Sequence, residues 1–284
     1  MPARDYHALP GASASRLRKL WQSTPAHLFA EMQEPKEPTP AMILGTLAHQ
    51  LVLEPGTPLP KLVIPPAEYP APAESSLVRS KKVAAGDMVK WSWSAGYCQA
   101  WKRQQETRGF IVVSQDLYDN TYGAARSIAE HPEARELVAD GDSEVTLITW
   151  DRETDCGLRC RLDHVPKGPL IVDCKFTHDA SESGFERKAY DDGYHIQAAL
   201  YLDVWNALCG SEERKTGFAF IACEPKAPYA VNVFRCTDEF IERGRRDYIT
   251  ALTSYAECER TGKWPAYPTT VKELGIPRYA KANI

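Results

Sequence analysis

Two charged side chains interrupt an otherwise apolar stretch of the sequence, residues 170–176, which predicts a buried strand. Asp173 and Lys175 lie two positions apart within it, so both point to one face, while Val172 and Cys174 point to the other. An Asp-x-Lys pair alone is most often an ion pair on a half-exposed sheet, because short motifs recur by chance. The pair therefore needs support from other parts of the sequence.

A second strand-like stretch, residues 158–165, gives that support. Its apolar positions share one face, and Arg161 and Asp163 share the other. A short polar turn follows, so a hairpin would bring Asp163, Asp173 and Lys175 to one edge of the sheet. Two adjacent carboxylates repel unless a cation lies between them, and Mg²⁺ or Mn²⁺ prefers such oxygen ligands. A lysine beside them can stabilise charge developing on a phosphate, so the pattern is typical of phosphodiester hydrolysis in outline.

Two predicted helices carry further polar residues. Thr39 and Pro40 are typical of a helix start, and His49 lies on the helix that they open. Gln197 and Tyr201 share one face of a later helix. Taken alone, His49 is best interpreted as a hydrogen-bonded core histidine, and the other two as the polar edge of an amphipathic helix.

In this order and spacing, these elements resemble the PD-(D/E)xK nuclease superfamily. Within it they look most like the RecE-type exonucleases, the exodeoxyribonuclease VIII group related to lambda exonuclease. The resemblance covers nearly the whole chain and rests on "SASRLRKLWQSTPAHL", "MILGTLAHQLVLEP", "CRLDHV", "IVDCKFT", "GYHIQAALYLD" and "GKWPAYP", of which the middle four are the most specific. It implies an α/β fold, a mixed central sheet flanked by helices, in one domain over residues 1–284. The helical N-terminal part would extend to about residue 140, the catalytic sheet core from about 141 to 260, and a tail over 261–284.

The resemblance also implies roles for individual residues. Lys175 would be the catalytic lysine, and Asp163 and Asp173 catalytic metal ligands. His49 and the backbone carbonyl of Cys174 would complete the metal site. Lambda exonuclease itself has an acidic residue where this chain has His49, whereas the RecE-type branch uses histidine.

Other residues are expected around that site. Gln197 and Tyr201 would support it from their helix, with Tyr201 also near the DNA. Ser15, at a helix start, faces a pocket for a 5′-phosphate in this group, and Arg161 either joins that pocket or is a surface arginine. Glu144, which opens the strand before the site, either supports the metal ligands or is a solvated glutamate at a strand end, and the second interpretation is preferred.

The activity implied is that of a Mg²⁺-dependent exonuclease, with Mn²⁺ able to substitute, that digests duplex DNA from the 5′ end. It would leave 3′ single strands for annealing recombination and hydrolyse phosphodiesters with two metals. The expected partners are double-stranded DNA ends, a single-strand annealing protein and further copies of the chain in a ring, a trimer before a tetramer. An endonuclease of the same fold and a non-catalytic DNA-binding subunit are the alternatives. The complete set of Asp163, Asp173 and Lys175 argues against the second.

Composition sets limits on these readings. The 284 residues are 43% hydrophobic and 25% charged, as in ordinary globular proteins. No apolar run could span a bilayer and no secretory leader is evident, so we expect a cytoplasmic location and no membrane partner.

A formal net charge of −4 argues against binding nucleic acid by bulk electrostatics. Two local basic clusters remain, Arg16, Arg18 and Lys19, then Arg79, Lys81 and Lys82. The eight cysteines are scattered, which argues against a zinc site or the iron–sulfur cluster of a Cas4-like nuclease.

The pattern of helices and strands completes the prediction. Residues 1–33 are expected to be helical, with Ser13 and Ser15 as candidate N-caps. The proline-rich residues 55–74 are expected to cross the surface. Helices are predicted at residues 40–53, 94–108, 115–130, 196–208 and 238–260, with a short turn of helix from Pro132, and strands at residues 144–150, 158–165, 170–176, 216–222 and 230–235.

Overall fold

The computed structural model describes residues 5–6, 9–34 and 38–276 of the chain. The predicted N-terminal helix over residues 1–33 thus lies partly outside the described residues, as does the end of the predicted tail. The helices are α1 Ala14–Gln22, α2 Pro25–Gln33, α3 Pro40–Leu53, α4 Ser76–Arg79, α5 Gly96–Thr107, α6 Gln115–Glu130, α7 Pro132–Ala139, α8 Glu182–Asp191, α9 Tyr194–Leu208 and α10 Asp238–Thr261, with a 3₁₀ turn at Ser211–Glu213. Among these residues, no helix is long and apolar enough to cross a membrane.

A mixed six-stranded sheet forms the centre of the molecule. Its strands are β1 Ala12–Ser13, β6 Gly141–Asp151, β7 Cys156–Pro166, β8 Leu170–Phe176, β9 Gly217–Cys223 and β10 Val231–Arg235. β6 and β8 lie antiparallel to β7 on its two edges, β9 is parallel to β8, and β10 is antiparallel to β9. Two strands lie one after the other along the same edge of β7. β1 pairs with Leu158 and Arg159 of β7, and β8 pairs with His164. This edge of β7 therefore opens between its two partners.

Two helical layers cover the sheet. Alternate side chains of β9 enter different cores: Phe218 and Phe220 face α9 and α10, whereas Ala219 and Ile221 face α3, α6 and α7. A strand buried on both faces reads as a continuous apolar run, as residues 217–223 do. α8 and α9 connect β8 to β9, and α9 is buried along most of its length. Any polar side chain that α9 turns toward the sheet is thus placed by a rigid core.

Four smaller strands lie outside this sheet. β2 Leu62–Val63 pairs with β5 Ile111–Val112, and β3 Glu68–Pro70 pairs with β4 Met88–Lys90. β2 and β3 fall within the proline-rich segment that was predicted to cross the surface without strands. Such two- and three-residue strands are too short to show a period of alternation, which is why the sequence does not reveal them.

The predicted fold class is confirmed: the chain is a mixed α/β protein with helices on both sides of a central sheet. Helix starts follow their capping residues, because the Thr39, Ser114 and Thr237 hydroxyls each accept a bond from an N–H in the first turn. Ser15 was wrong as an N-cap. Ser13 occupies that position of α1, and Ser15 is the second helical residue.

Candidate metal and phosphodiester site

The pairing of β7 with β8 places the two predicted acidic ligands next to each other. His164 pairs with Val172, and one step along this antiparallel register sets Asp163 opposite Asp173. The backbone N–H of Cys174 donates to Asp163 Oδ2 at 3.0 Å. The Asp163 carboxylate is therefore fixed across the hairpin by the backbone of the strand that carries Asp173.

Asp173 is a buried charge with two compensating partners. Its side chain is 1% exposed, and the Lys175 ammonium contacts its Oδ1. The Gln197 amide, from α9, donates to its Oδ2. Lys175 also lies over the ring of Tyr194, 4.9 Å from the ring centroid. Gln197 Oε1 is buried and has no hydrogen-bond partner within the described part of the chain, so it stays available as an acceptor.

His49 reaches the same place from the other helical layer. Its Nε2 lies 2.7 Å from the carbonyl oxygen of Cys174 and 3.6 Å from Asp163 Oδ2. Its ring tilts against Phe176, with centroids 5.6 Å apart. The side chain is 23% exposed, so His49 is not an enclosed core histidine. His49 therefore lies beside the Cys174 carbonyl oxygen and the Asp163 carboxylate, the two groups that the resemblance implies as metal ligands together with it.

Glu144 joins this group, contrary to the expectation of a solvated strand-end glutamate. It lies within β6, has a φ of +55°, and its side chain is 23% exposed. Its Oε2 contacts the Arg161 guanidinium, whose Nη1 is also 3.4 Å from the Thr146 hydroxyl. Glu144 has an unusual φ and contacts Arg161, which pairs in the sheet with Thr146 two residues further along. Neither feature leaves a signature in the sequence, so the pattern could not place Glu144 here.

The donor set fits a divalent cation. One ligand atom each of His49, Glu144 and Asp163 lies within 4.8 Å of the others. Ligands bound at about 2.0–2.6 Å from a common ion are spaced at this order of distance. One imidazole and two carboxylates suit Mg²⁺, Mn²⁺ or related ions. Asp173 and the Cys174 carbonyl, the other implied ligands, lie beside this group but are bonded to Gln197, Lys175 and His49.

The electrostatics of the site also favour a bound cation. Burial, and next the neighbouring Asp173 carboxylate, raise the pKa of Asp163 to about 6. His49, Lys175 and the Cys174 N–H oppose that rise. Lost hydration and repulsion from Asp173 thus both disfavour the ionised form of Asp163, and a bound cation would offset both.

The predicted phosphate-binding residues line the same pocket, a cavity of about 330 Å³. Ser15 is at the start of α1, and Arg161 lies on β7 across the pocket. Tyr201 also lines it, but the residue is only 7% exposed and burial raises the pKa of its hydroxyl well above the usual value. Other side chains that line it include Tyr6, Arg18, Thr46, His49, Glu144, Asp163, Lys175 and Gln197. Most of the predicted side chains therefore meet in one cavity, Asp173 lies buried behind it against Lys175, and Arg161 is part of the cavity wall.

The first basic cluster is not a continuous patch. The Arg16 guanidinium donates to the Gly11 carbonyl and the Tyr255 hydroxyl, and Lys19 pairs with Glu31 at 3.1 Å. Arg18 donates to the backbone of Asp192 and lines the pocket. Each of these three side chains is engaged with a different part of the structure, so closeness in sequence overstated their joint charge.

The model of a family described as "PDDEXK-like domain of unknown function (DUF3799)" matches residues 13–272. The chain belongs to this family. The predicted membership of the PD-(D/E)xK superfamily is thereby confirmed. No curated protein matches the chain in sequence.

Solved structures show where else this PDDEXK-like fold occurs. A crystal structure from Eubacterium rectale, described as a "Putative exonuclease", is 12% identical, covers 95% of this chain and 96% of its own, and has a TM-score of 0.59. That likeness shows a shared fold. An alkaline exonuclease from Laribacter hongkongensis is 14% identical over 60% of this chain and 86% of its own, with a TM-score of 0.27 that supports no argument.

The structure adds residues to the PDDEXK-like site that sequence reasoning did not name. The Lys175 ammonium lies over the ring of Tyr194. It is also 5.8 Å from the centroid of the Phe220 ring, on β9. Tyr194 opens the helix that also carries Gln197, within the motif "GYHIQAALYLD". Its position one turn before Gln197 was the available signal, because residues three apart share a helical face.

Proposed function

We propose that this chain is a divalent-metal-dependent exonuclease that hydrolyses duplex DNA from the 5′ end, with Mg²⁺ as its metal and Mn²⁺ as a substitute. The observation that carries the proposal is the convergence of His49, Asp163 and Lys175 in one open pocket, with the buried Asp173 paired to Lys175. The direction of digestion, the duplex substrate and the use of two metals rest on the resemblance to RecE-type exonucleases.

Different residues would bind the metal, stabilise charge on the phosphate and orient the acidic ligand. His49, Glu144 and Asp163 would hold the cation, with Asp173 and the Cys174 carbonyl as further ligands. When bound, the metal would lower the pKa of an attacking water and offset charge on the scissile phosphate. Lys175 is held at Asp173, where its ammonium stabilises the negative charge that develops on the phosphate. Gln197 fixes the orientation of the Asp173 carboxylate.

The substrate end is proposed to bind at the start of α1. Ser15 and Arg161 lie in the same cavity as the acidic residues, so a terminal 5′-phosphate bound by them would place the next phosphodiester near Lys175. Helix N-termini attract anions through their free N–H groups and dipole. The partners proposed are double-stranded DNA ends, a single-strand annealing protein that takes over the 3′ strand, and further copies of the chain, in a cytoplasmic setting.

Release of nucleotides from DNA tests this proposal. The intact protein should release acid-soluble nucleotides from linear duplex DNA in Mg²⁺ and leave 3′ single strands, while covalently closed circles stay intact. Asp173→Asn keeps the size of the side chain but not its charge and should abolish release, as should Lys175→Ala. Nicking of closed circles would instead identify an endonuclease, and full activity of Asp173→Asn would remove the proposed site.

A further inference from the structure

Residues 61–113 form a separate unit, here called the aromatic module, between α3 and α6. It contains β2 to β5 with α4 and α5, and its two small sheets are not part of the main sheet. None of the residues assigned to the metal and phosphate pocket lies in it. The catalytic site therefore does not explain its composition.

The module concentrates aromatic side chains. It holds three of the seven tryptophans of the chain, which is far more than its share of the length. Trp91 is at the centre, with Trp101 at 5.1 Å and Trp93 at 5.8 Å between ring centroids, both edge-on. Tyr69 and Tyr97 stack on each other at 5.3 Å. These rings are mostly half-buried, and Trp93 is 45% exposed, so several ring surfaces face solvent.

A groove of about 820 Å³ runs along this cluster. Tyr69, Tyr97 and Trp101 line it together with polar groups, among them Glu74, Arg79 and Gln104. Protein interiors are close-packed, so the open space beside these three rings shows that they are not packed as an ordinary hydrophobic core. The groove therefore has the two features of a nucleobase site, flat apolar faces and hydrogen-bonding groups at their edges.

The charge of the module is opposite to that of the rest of the chain. Eight basic residues stand against four acidic ones, a formal charge of +4, so that a chain of −4 carries −8 elsewhere. The basic residues are Lys61, Arg79, Lys81, Lys82, Lys90, Lys102, Arg103 and Arg108, and the acidic ones Glu68, Glu74, Asp87 and Glu106. Lys81 and Lys82 follow Ser80, the residue after α4, and are exposed. An occupant of this groove is thus expected to be polyanionic as well as aromatic.

We propose that the aromatic module binds single-stranded DNA, with bases stacked on Trp101 and Tyr97 and phosphates near Arg79, Lys81 and Lys82. Base stacking on aromatic faces tolerates any sequence, and unpaired bases alone offer both faces for it. Duplex DNA offers phosphates but no free base faces, and an acidic peptide offers charge without aromatic stacking. This site goes beyond the proposed hydrolysis, because binding here needs neither metal nor the catalytic pocket.

Tryptophan fluorescence of the intact protein, in EDTA so that no hydrolysis occurs, measures this binding directly. Titration with a thymidine oligonucleotide should quench the emission. Trp101→Ala and Tyr97→Ala should each raise Kd about tenfold, as loss of one stacked base does. Trp150→Ala removes an exposed tryptophan from β6, outside the module, and should leave Kd unchanged.

Charge variants cover the case in which an aromatic substitution disturbs the module. Lys81→Gln with Lys82→Gln changes only exposed side chains and should flatten the dependence of log Kd on log salt by about 0.7 per lysine. An unchanged Kd in all the module variants would overturn the proposal. So would equal affinity for a duplex of the same length, or displacement of the oligonucleotide by polyglutamate of matched charge.

Discussion

At the scale of the residue, the carboxylates of Asp163 and Asp173 differ in the partners that compensate their lost hydration. Asp173 has an ammonium and an amide against its two oxygens, whereas Asp163 has a backbone N–H and an imidazole that it shares with a carbonyl. A buried carboxylate is tolerated only when such partners offset its lost hydration. The difference between the two acids leaves Asp173 with a cation of its own, while Asp163 is the carboxylate that a bound metal ion would neutralise.

Gln197 should matter through Asp173 rather than through the substrate. Gln197→Ala removes the donor to Asp173 Oδ2, and loss of such an outer contact typically costs about 10- to 100-fold in activity or metal affinity. We expect kcat of nucleotide release to fall by that amount, with little change in DNA binding measured in EDTA. Gln115→Ala, on the exposed start of α6, is the matched control and should have wild-type kcat. A normal kcat in Gln197→Ala would show that Asp173 needs no such support.

The raised pKa of Asp163 predicts a pH dependence of stability. In the folded, metal-free protein this carboxyl holds its proton up to about pH 6, whereas in the unfolded chain it loses it near pH 4. Its contribution is therefore complete below pH 4 and is lost as pH rises through 6, by at most about 3 kcal/mol. Asp163→Asn should lack this loss.

The comparison to make is the difference in Tm between wild type and Asp163→Asn, in EDTA, between pH 4.5 and 7.5. We expect the Tm of the wild type to fall relative to that of Asp163→Asn between pH 4.5 and about 6.5, and the difference to level off above that range. Added Mn²⁺ should restore wild-type stability near pH 7 and leave Asp163→Asn unaffected or less affected. A pH-independent difference would mean that Asp163 ionises normally and carries no excess charge.

At the scale of the element, local signals predicted most of the fold. The helices predicted at residues 40–53, 115–130 and 238–260 start where the sequence places them, because a capping hydroxyl and the periodic residues after it act within one turn. The hairpin of β7 and β8 followed from alternation. What escaped prediction depends on contacts distant in sequence: the pairing of β1 with Leu158 and Arg159, the φ of Glu144, and the small sheets of the aromatic module.

The start of α1 and the strand β7 together predict a preference among DNA ends. Arg161 lies with Ser15 in the pocket of the candidate site and contacts Glu144, so we expect it to exchange that carboxylate for a terminal phosphate. Arg161→Ala should slow digestion of 5′-phosphorylated ends more than of 5′-hydroxyl ends. Lys19→Ala, which removes a cation from the same helix that pairs with Glu31, should slow neither. Equal slowing of both substrates by Arg161→Ala would give Arg161 some other role.

At the scale of the whole molecule, charge is divided between two parts of one chain. Residues 61–113 carry +4 and the remainder −8, and the basic residues of α1 are held by Tyr255, Glu31 and backbone carbonyls. A monomer would meet duplex DNA with one limited basic surface and a larger acidic one. Attraction of that kind falls steeply with salt, so it would not keep an exonuclease attached over many cycles.

Closed cyclic assembly resolves this conflict, and we expect the chain to form a ring, a trimer before a tetramer. Rotational symmetry repeats one local basic surface around a central axis, which turns it into a continuous basic channel for DNA, while acidic residues face outward. Light scattering or sedimentation at working concentration should give three or four times the 31.8 kDa of the chain. Digestion of a long duplex should then resist a trap of competitor DNA added after the start. A stable monomer that digests long duplexes in the presence of the trap would contradict the ring, because retention would then come from the single chain itself.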